Sequence, residues 1–191
     1  MVARRQAVEQ HHAPPHNRQS LHDLATLIHA PHVPLDDDVG VRETMAAHPE
    51  VCDSFPLPLR QLYTIHGASH AAAALGPPSS ERSTWTLLSL EDVITEFQHK
   101  RRWNPASVSV DFAWTYHGMG HYVAASLDMT RGEVYLRLDG GSNGWEQELN
   151  YQLGASYKPK AADCHPVEWW LELVRQGATA ETLHGQYVVP V

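Results

Sequence analysis

Thiols are scarce in this sequence. Cys52 and Cys164 are the only cysteines among 191 residues, and they lie far apart in no zinc or redox spacing. They read as reduced, buried thiols, which sets aside a disulfide framework and a cysteine nucleophile. Basic charge is also short: 14 Lys and Arg stand against 22 Asp and Glu, a formal net charge of −8 with neutral histidines. Nucleic-acid binders neutralise phosphates with clustered Lys and Arg, so this balance argues against direct nucleic-acid contact. It favours a basic protein partner through electrostatic steering. The single basic cluster, Lys100 to Arg102, falls where a helix should end and suits its dipole. Long apolar runs are missing too. Nothing approaches the roughly 20 residues that span a bilayer, and the start "MVARRQAVEQHHAPPH" lacks the apolar core of a signal peptide. The expectation is a cytoplasmic protein without membrane contact. With 42% hydrophobic and 19% charged residues, global disorder is excluded, and the length suits one domain.

The patterns of catalysis are equally sparse. There is no G-x-S-x-G elbow, Walker loop or dinucleotide fingerprint, and "GGSNG" lacks the Lys and helix that a phosphate loop needs. The acid run Asp36 to Asp38 lacks the spaced ligands and closing Glu of an EF-hand. Glu146 and Glu148, alternating beside Trp145, would need opposed environments to serve as acid and base; one face of a strand is the simpler account. Ser126 near Asp128 could join a histidine in a triad, but nothing activates that serine. The chain is therefore expected to be no enzyme, with no catalytic residue and no cofactor.

What is present is a change of period along the chain. Residues 1–19 hold "HHAPPH" and no apolar periodicity, so they read as a flexible tail. Residues 20–35 read as a short extra helix and loop, with Leu21, Leu24, Leu27 and Ile28 on one face. The main domain is expected over 36–180, followed by a C-terminal extension over 181–191. Within it, a weak helix covers about 41–47. Another follows in "LPLRQLYTIHG", where Leu59, Leu62, Tyr63 and His66 share a face and Gly67 is the stop. "WTLLSLEDVITEFQHKRRW" predicts a short strand and then a helix capped by Ser89, with Leu90, Val93, Ile94 and Phe97 inward. From Val108 the period falls to two: "VSVDFAW", "HYVAASLD" and "GEVYLRLD" predict antiparallel strands, with "DMTRGE" a hairpin turn. "DGGSNGW" reads as a further turn. "PVEWWLELVRQG" predicts a closing helix with Gly177 as its stop, and one of Trp169 and Trp170 at an edge. The fold class is a single α+β domain: an antiparallel strand meander with helices packed on one face.

Fourteen histidines invite a search for metal. "YHGMGHY" places His117 and His121 four apart, and His66 and His70 repeat the spacing across another glycine. Two glycines make the first stretch a poor helix, and no general-base glutamate lies between the histidines. In one extended strand they would stand about 13 Å apart; only a tight turn could bring them together. The preferred reading is a glycine turn with strand-end histidines and no metal, and a four-histidine structural site stays open as the alternative.

Several of these stretches resemble a known family. "LPLRQLYTIHGAS", "LLSLEDV", "FAWTYHGMGHYVAASLDMTRGEVYL" and "HPVEWWLELV" occur in the order of corresponding elements of the SUKH superfamily, named for a yeast cell-wall synthesis regulator and its bacterial homologues. The likeness covers about residues 40–176. Asp128 matches the family's strand-end aspartate. Gly120-His121 stands where members carry Gly-Asp, and His66-Gly67 lacks the usual intervening Asn. The first 35 residues have no counterpart. The resemblance implies one α+β domain with no chemistry of its own. It also implies an immunity protein that binds and occludes a cognate toxin of nuclease or deaminase class, or alternatively a viral or regulatory scaffold on a host or structural partner.

A binding surface for a basic toxin domain should join aromatic anchors to acidic charge. Between Trp103 and Tyr157 six acids face two arginines, a balance of −4. The candidate partner-binding residues are Tyr116, His117, His121, Asp128, Trp145, Glu146 and Glu148. Those near turns are expected to be more exposed than Trp114.

Overall fold

The computed structural model describes residues 38–66, 72–77, 84–118, 121–139, 161–183 and 188–189. The expected tail, the extra helix, the "DGGSNGW" turn and the candidates Trp145, Glu146 and Glu148 lie outside these residues. Among the described residues three helices come first: α1 (Asp38–Ala47), α2 (Pro49–Cys52) and α3 (Leu57–His66). Strands β1 (Ala73–Leu75) and β2 (Trp85–Leu87) lead into the long helix α4 (Leu90–Trp103). Then follow β3 (Ser109–Gly118), β4 (His121–Asp128) and β5 (Glu133–Asp139), helix α5 (Val167–Arg175), the single turn α6 (Ala180–Leu183) and β6 (Val188–Val189). The six strands form one sheet in chain order, antiparallel throughout except for the parallel β5–β6 pair. This is the α+β domain expected from the change of period.

Local chemistry explains the element ends. The Ser89 hydroxyl accepts the Asp92 backbone N–H at 3.1 Å and donates to the Asp92 carboxylate at 2.7 Å, closing the first turn of α4. Helix α5 stops at Gly177, whose φ of +71° is left-handed. Its N–H donates to the Val174 carbonyl, and that of Ala178 to the Leu173 carbonyl, the paired closure that an L-residue would strain. The β4–β5 turn is organised by Asp128, whose carboxylate accepts from the backbone and hydroxyl of Thr130 at 2.9 and 2.6 Å.

One face of the sheet carries the core. Val123, Ala125 and Leu127 of β4 and Val134 and Leu136 of β5 point into it, against Leu59, Leu62 and Tyr63 of α3 and Val93, Ile94 and Phe97 of α4. Its centre is aromatic. Trp170 of α5 meets Trp85 and Phe112 edge-on, with centroids 5.7 and 4.9 Å apart, and the Trp85 indole N–H donates to the Ala178 carbonyl at 3.0 Å. Trp169, its neighbour, is half-buried and stacks on His165, so one tryptophan sits at the edge as the narrow helical face requires. Beyond Arg175 the chain still contributes to the core, through Ala180 and Leu183.

Two core positions should respond oppositely to mutation. Trp170→Ala removes a fully buried ring from the aromatic centre and should cost about 3–5 kcal/mol, read as a lower urea midpoint. Tyr63→Phe removes a buried hydroxyl that has no hydrogen-bond partner among the described residues. It should leave the midpoint unchanged or raise it; a loss of more than ~1 kcal/mol would show that the hydroxyl has a role.

Candidate functional site

The opposite face of the sheet is built by an irregularity in β3. Val110 pairs with Leu127 and faces the core; Asp111 pairs with Ser126 and faces away. The register then shifts, so that Ala113, and not Phe112, pairs with Ala125. Phe112 is the extra residue of a bulge, and both it and Ala113 join the core. Alternation restarts one step late. Trp114 and Tyr116, paired with Ala124 and Tyr122, therefore share the far face with Asp111. Strict alternation from Asp111 would have sent Trp114 into the core.

Asp111 is a charge in the middle of an apolar strand, and it is buried. Three neighbours answer it: Lys100 of α4 donates at 2.9 Å, and Arg137 of β5 and the Ser126 hydroxyl of β4 also donate. Lys100 reaches Glu96, one turn earlier on its own helix, at 2.9 Å as well. Burial opposes the charge of Asp111, but Arg137, Lys100 and Ser126 hold its carboxyl well below the usual range. Burial likewise opposes the Lys100 ammonium, yet Asp111 and Glu96 keep it above its ordinary value. Glu96 goes the other way. Burial, reinforced by the Asp111 charge and resisted by Lys100, pushes its carboxyl from 4.5 up to about 7. Its side chain is 25% exposed, so it is the member of the cluster that meets solvent.

Beside the cluster, Leu88, Glu96, Asp111, Trp114, Tyr116 and Tyr122 line a cleft of about 370 Å³. That is the small end of ligand pockets, the scale of one side chain or fragment. The Trp114 and Tyr122 rings stand 6.0 Å apart at 59°, forming two walls of a corner. Tyr116, 58% exposed, is at the rim. The polar groups lining the cleft are carboxylates and a phenolic pair; the Lys100 and Arg137 cations are turned into Asp111 behind them.

Of the residues singled out from sequence, Tyr116 belongs to this cleft and is more exposed than Trp114, as expected. His117 and His121 are placed by backbone at the adjoining ends of β3 and β4. There Gly118 pairs with His121 and the register shifts again at His117. His117 and His121 thus belong to two paired antiparallel strands and not to one extended strand. Asp128 needs correction as a partner-binding candidate. It is 5% exposed, serves the β4–β5 turn, and lies at the other end of β4, about 20 Å from the β3–β4 end. Ser126 is fully buried and donates to Asp111, which removes it from any triad with Asp128. Neither thiol is activated: burial raises Cys52 to about 11 and also raises Cys164. Among the described residues no three His, Cys, Asp or Glu side chains are grouped to hold a metal ion, and no helix is long and apolar enough to cross a membrane. Sequence reasoning missed Glu96, Lys100, Asp111, Arg137 and Tyr122. The available signals were an acid inside an apolar strand and a lysine in line with Val93 and Phe97 on α4.

The chain matches no protein family, no curated protein and no solved structure.

Two substitutions test the cluster. Asp111→Asn leaves two buried cations short of their counter-charge and should cost about 3–5 kcal/mol, measured by urea unfolding at pH 7. Glu96 sets a pH dependence of definite sign. A carboxyl that holds its proton more tightly when folded adds stability below its ordinary 4.5, and that contribution is lost as pH rises through about 7. Asp111, depressed, adds stability that disappears only in strong acid. Unfolding free energy should therefore fall by about 1 to 3 kcal/mol between pH 5 and pH 8. In Glu96→Gln this slope should vanish; an equal slope in the variant would assign it to another group.

Proposed function

We propose that this chain is a non-enzymatic, cytoplasmic protein-binding domain of the immunity type, which neutralises a basic toxin domain by seating on it and occluding its active groove. The observation that carries this reading is the cleft: an aromatic corner with a carboxylate floor, on the face of the sheet opposite the core, in a chain of net charge −8. Aromatic rings with acidic groups suit a protein surface that must itself hold nucleic acid. The resemblance to SUKH proteins supports the same direction, and the paired ends of β3 and β4 bring Tyr116 to the rim.

A hydrolytic reading starts from the same residues, because two carboxylates with environments pushed apart are a pattern of acid and base. Asp111 does not suit the second role. Its oxygens are engaged by Lys100, Arg137 and Ser126 in a buried strut, which leaves Glu96 without a second free carboxylate in the cleft among the described residues.

The test is capture followed by toxicity. Protein retained from the native host by the immobilised chain should arrest growth when expressed alone in a naive host, and co-expression of this chain should restore growth. A captured partner that is harmless alone would replace immunity with the scaffold reading. Hydrolytic turnover by the purified chain that is lost in Glu96→Gln would overturn the non-enzymatic reading.

A further inference from the structure

The cleft specifies more than "acidic and aromatic". We infer that it is the seat of a single arginine side chain supplied by the partner, its guanidinium stacked in the Trp114–Tyr122 corner and hydrogen-bonded to the Glu96 carboxylate. The inference rests on the binding reading above for the existence of a partner, and on the cleft alone for the chemistry of the guest.

Size comes first. About 370 Å³, open to solvent on one side, is room for a side chain. Charge comes next. The charged groups that line the space are the carboxyls of Glu96 and Asp111, beside two phenols, while the neighbouring cations Lys100 and Arg137 point into Asp111. An anionic guest would meet Glu96 head-on. Shape decides between the two cationic side chains. Both rings line the cleft, tilted at 59° with centroids 6.0 Å apart, and a planar, weakly hydrated guanidinium stacks on an aromatic face and presents paired N–H groups to a carboxylate. An ammonium is a point charge with a stronger hold on water. Glu96 gives one oxygen to Lys100 and is the cluster's solvent-facing acid, so it is the group placed to receive a donor from outside.

Occupation should be linked to pH. Glu96 is faced by Lys100 on its own helix and by Asp111 on β3, with Arg137 of β5 behind Asp111. With its carboxyl pushed up to about 7, the empty cleft is partly protonated at neutral pH. A cation binds the ionised form, so affinity should climb from pH 6 to pH 8 and then level off.

The full chain titrated with arginine blocked at both ends, and separately with blocked lysine and blocked citrulline, tests the assignment. The reporter is the Trp114 indole N–H in a proton–nitrogen correlation spectrum, identified with Trp114→Phe. The expected result is saturable movement of that signal by arginine, with citrulline, the uncharged isostere, weaker by about tenfold. Affinity for arginine should drop by about tenfold in Glu96→Gln, with its pH dependence abolished. Equal response to arginine and citrulline, an unchanged Glu96→Gln, or signals moving only elsewhere would overturn the inference. The two readings fail separately. Arginine binding with no toxic partner in the host sinks the immunity proposal and leaves the pocket standing. A toxic partner that binds Glu96→Gln and Trp114→Ala, each shown folded by circular dichroism, as tightly as the parent chain sinks the pocket and leaves the immunity proposal standing.

Discussion

Everything on the far face of this sheet is arranged around one carboxylate, that of Asp111. A buried ion pair is weak support for stability in itself, because desolvation takes back most of what attraction supplies. Its force lies in what happens when a member is absent: the remaining charges are stranded in a medium that cannot solvate them. Asp111 on β3 is joined to Lys100 on α4, Ser126 on β4 and Arg137 on β5, so four elements are held in one relative position by the cost of separating them. A one-residue slide of β4 against β3 would turn Ser126 into the core and Val123 and Leu127 out of it, so apolar burial and the charge cluster demand the same register. The cluster therefore helps to specify register more than it adds free energy.

Register in turn makes the cleft. Because Phe112 is an extra residue, Trp114 and Asp111 share a face although they are three apart. The bulge and the charge cluster depend on each other. Without the shift, Trp114 would point into the core with Phe112; Asp111 opposite Ser126, together with the buried Val110, Phe112 and Ala113, fixes where along β3 the extra residue falls. The aromatic corner and the acidic floor thus follow from the same two facts, and not from separate placements of three rings and an acid.

The division between what sequence reveals and what it hides follows from this. Ser89 as cap, the apolar stripe of α4, the three long strands and the Gly177 stop each rest on local chemistry or on several turns of periodicity, and each is found where expected. Strands β1 and β6, of three and two residues, are too short to show any period, and the parallel partnership of β6 depends on where the chain returns. The charge cluster is hidden for a deeper reason: it joins residues 11, 15 and 26 positions apart, and which acid meets which base depends on a register that one bulge changes. Lys100 shows the difficulty. At the end of a helix a lysine suits the dipole, and that account is physically sound, yet here the residue turns inward to a strand. Tyr116 could be anticipated as exposed because it precedes an expected glycine turn; Glu96 could not, because its importance comes wholly from neighbours on another element.

Helix α4 is where the two faces meet. Positions 93 and 97 form one row and 96 and 100 the next, about 60° apart around the axis. The first row, Val93 and Phe97, enters the core; the second, Glu96 and Lys100, passes the sheet edge and lies over the far face. It can do so because β2 pairs with β3 through Thr86 and Leu87, with one further bond from the Leu88 N–H to the Phe112 carbonyl, which leaves β3 before Phe112 open to a helix on that side. Had β2 been longer, its strand would have occupied that edge, Asp111 would have lost Lys100, and the cleft would have lost its floor. A short strand followed at once by a capped helix is thus the feature that lets a stable core on one face carry a polar, aromatic-walled site on the other.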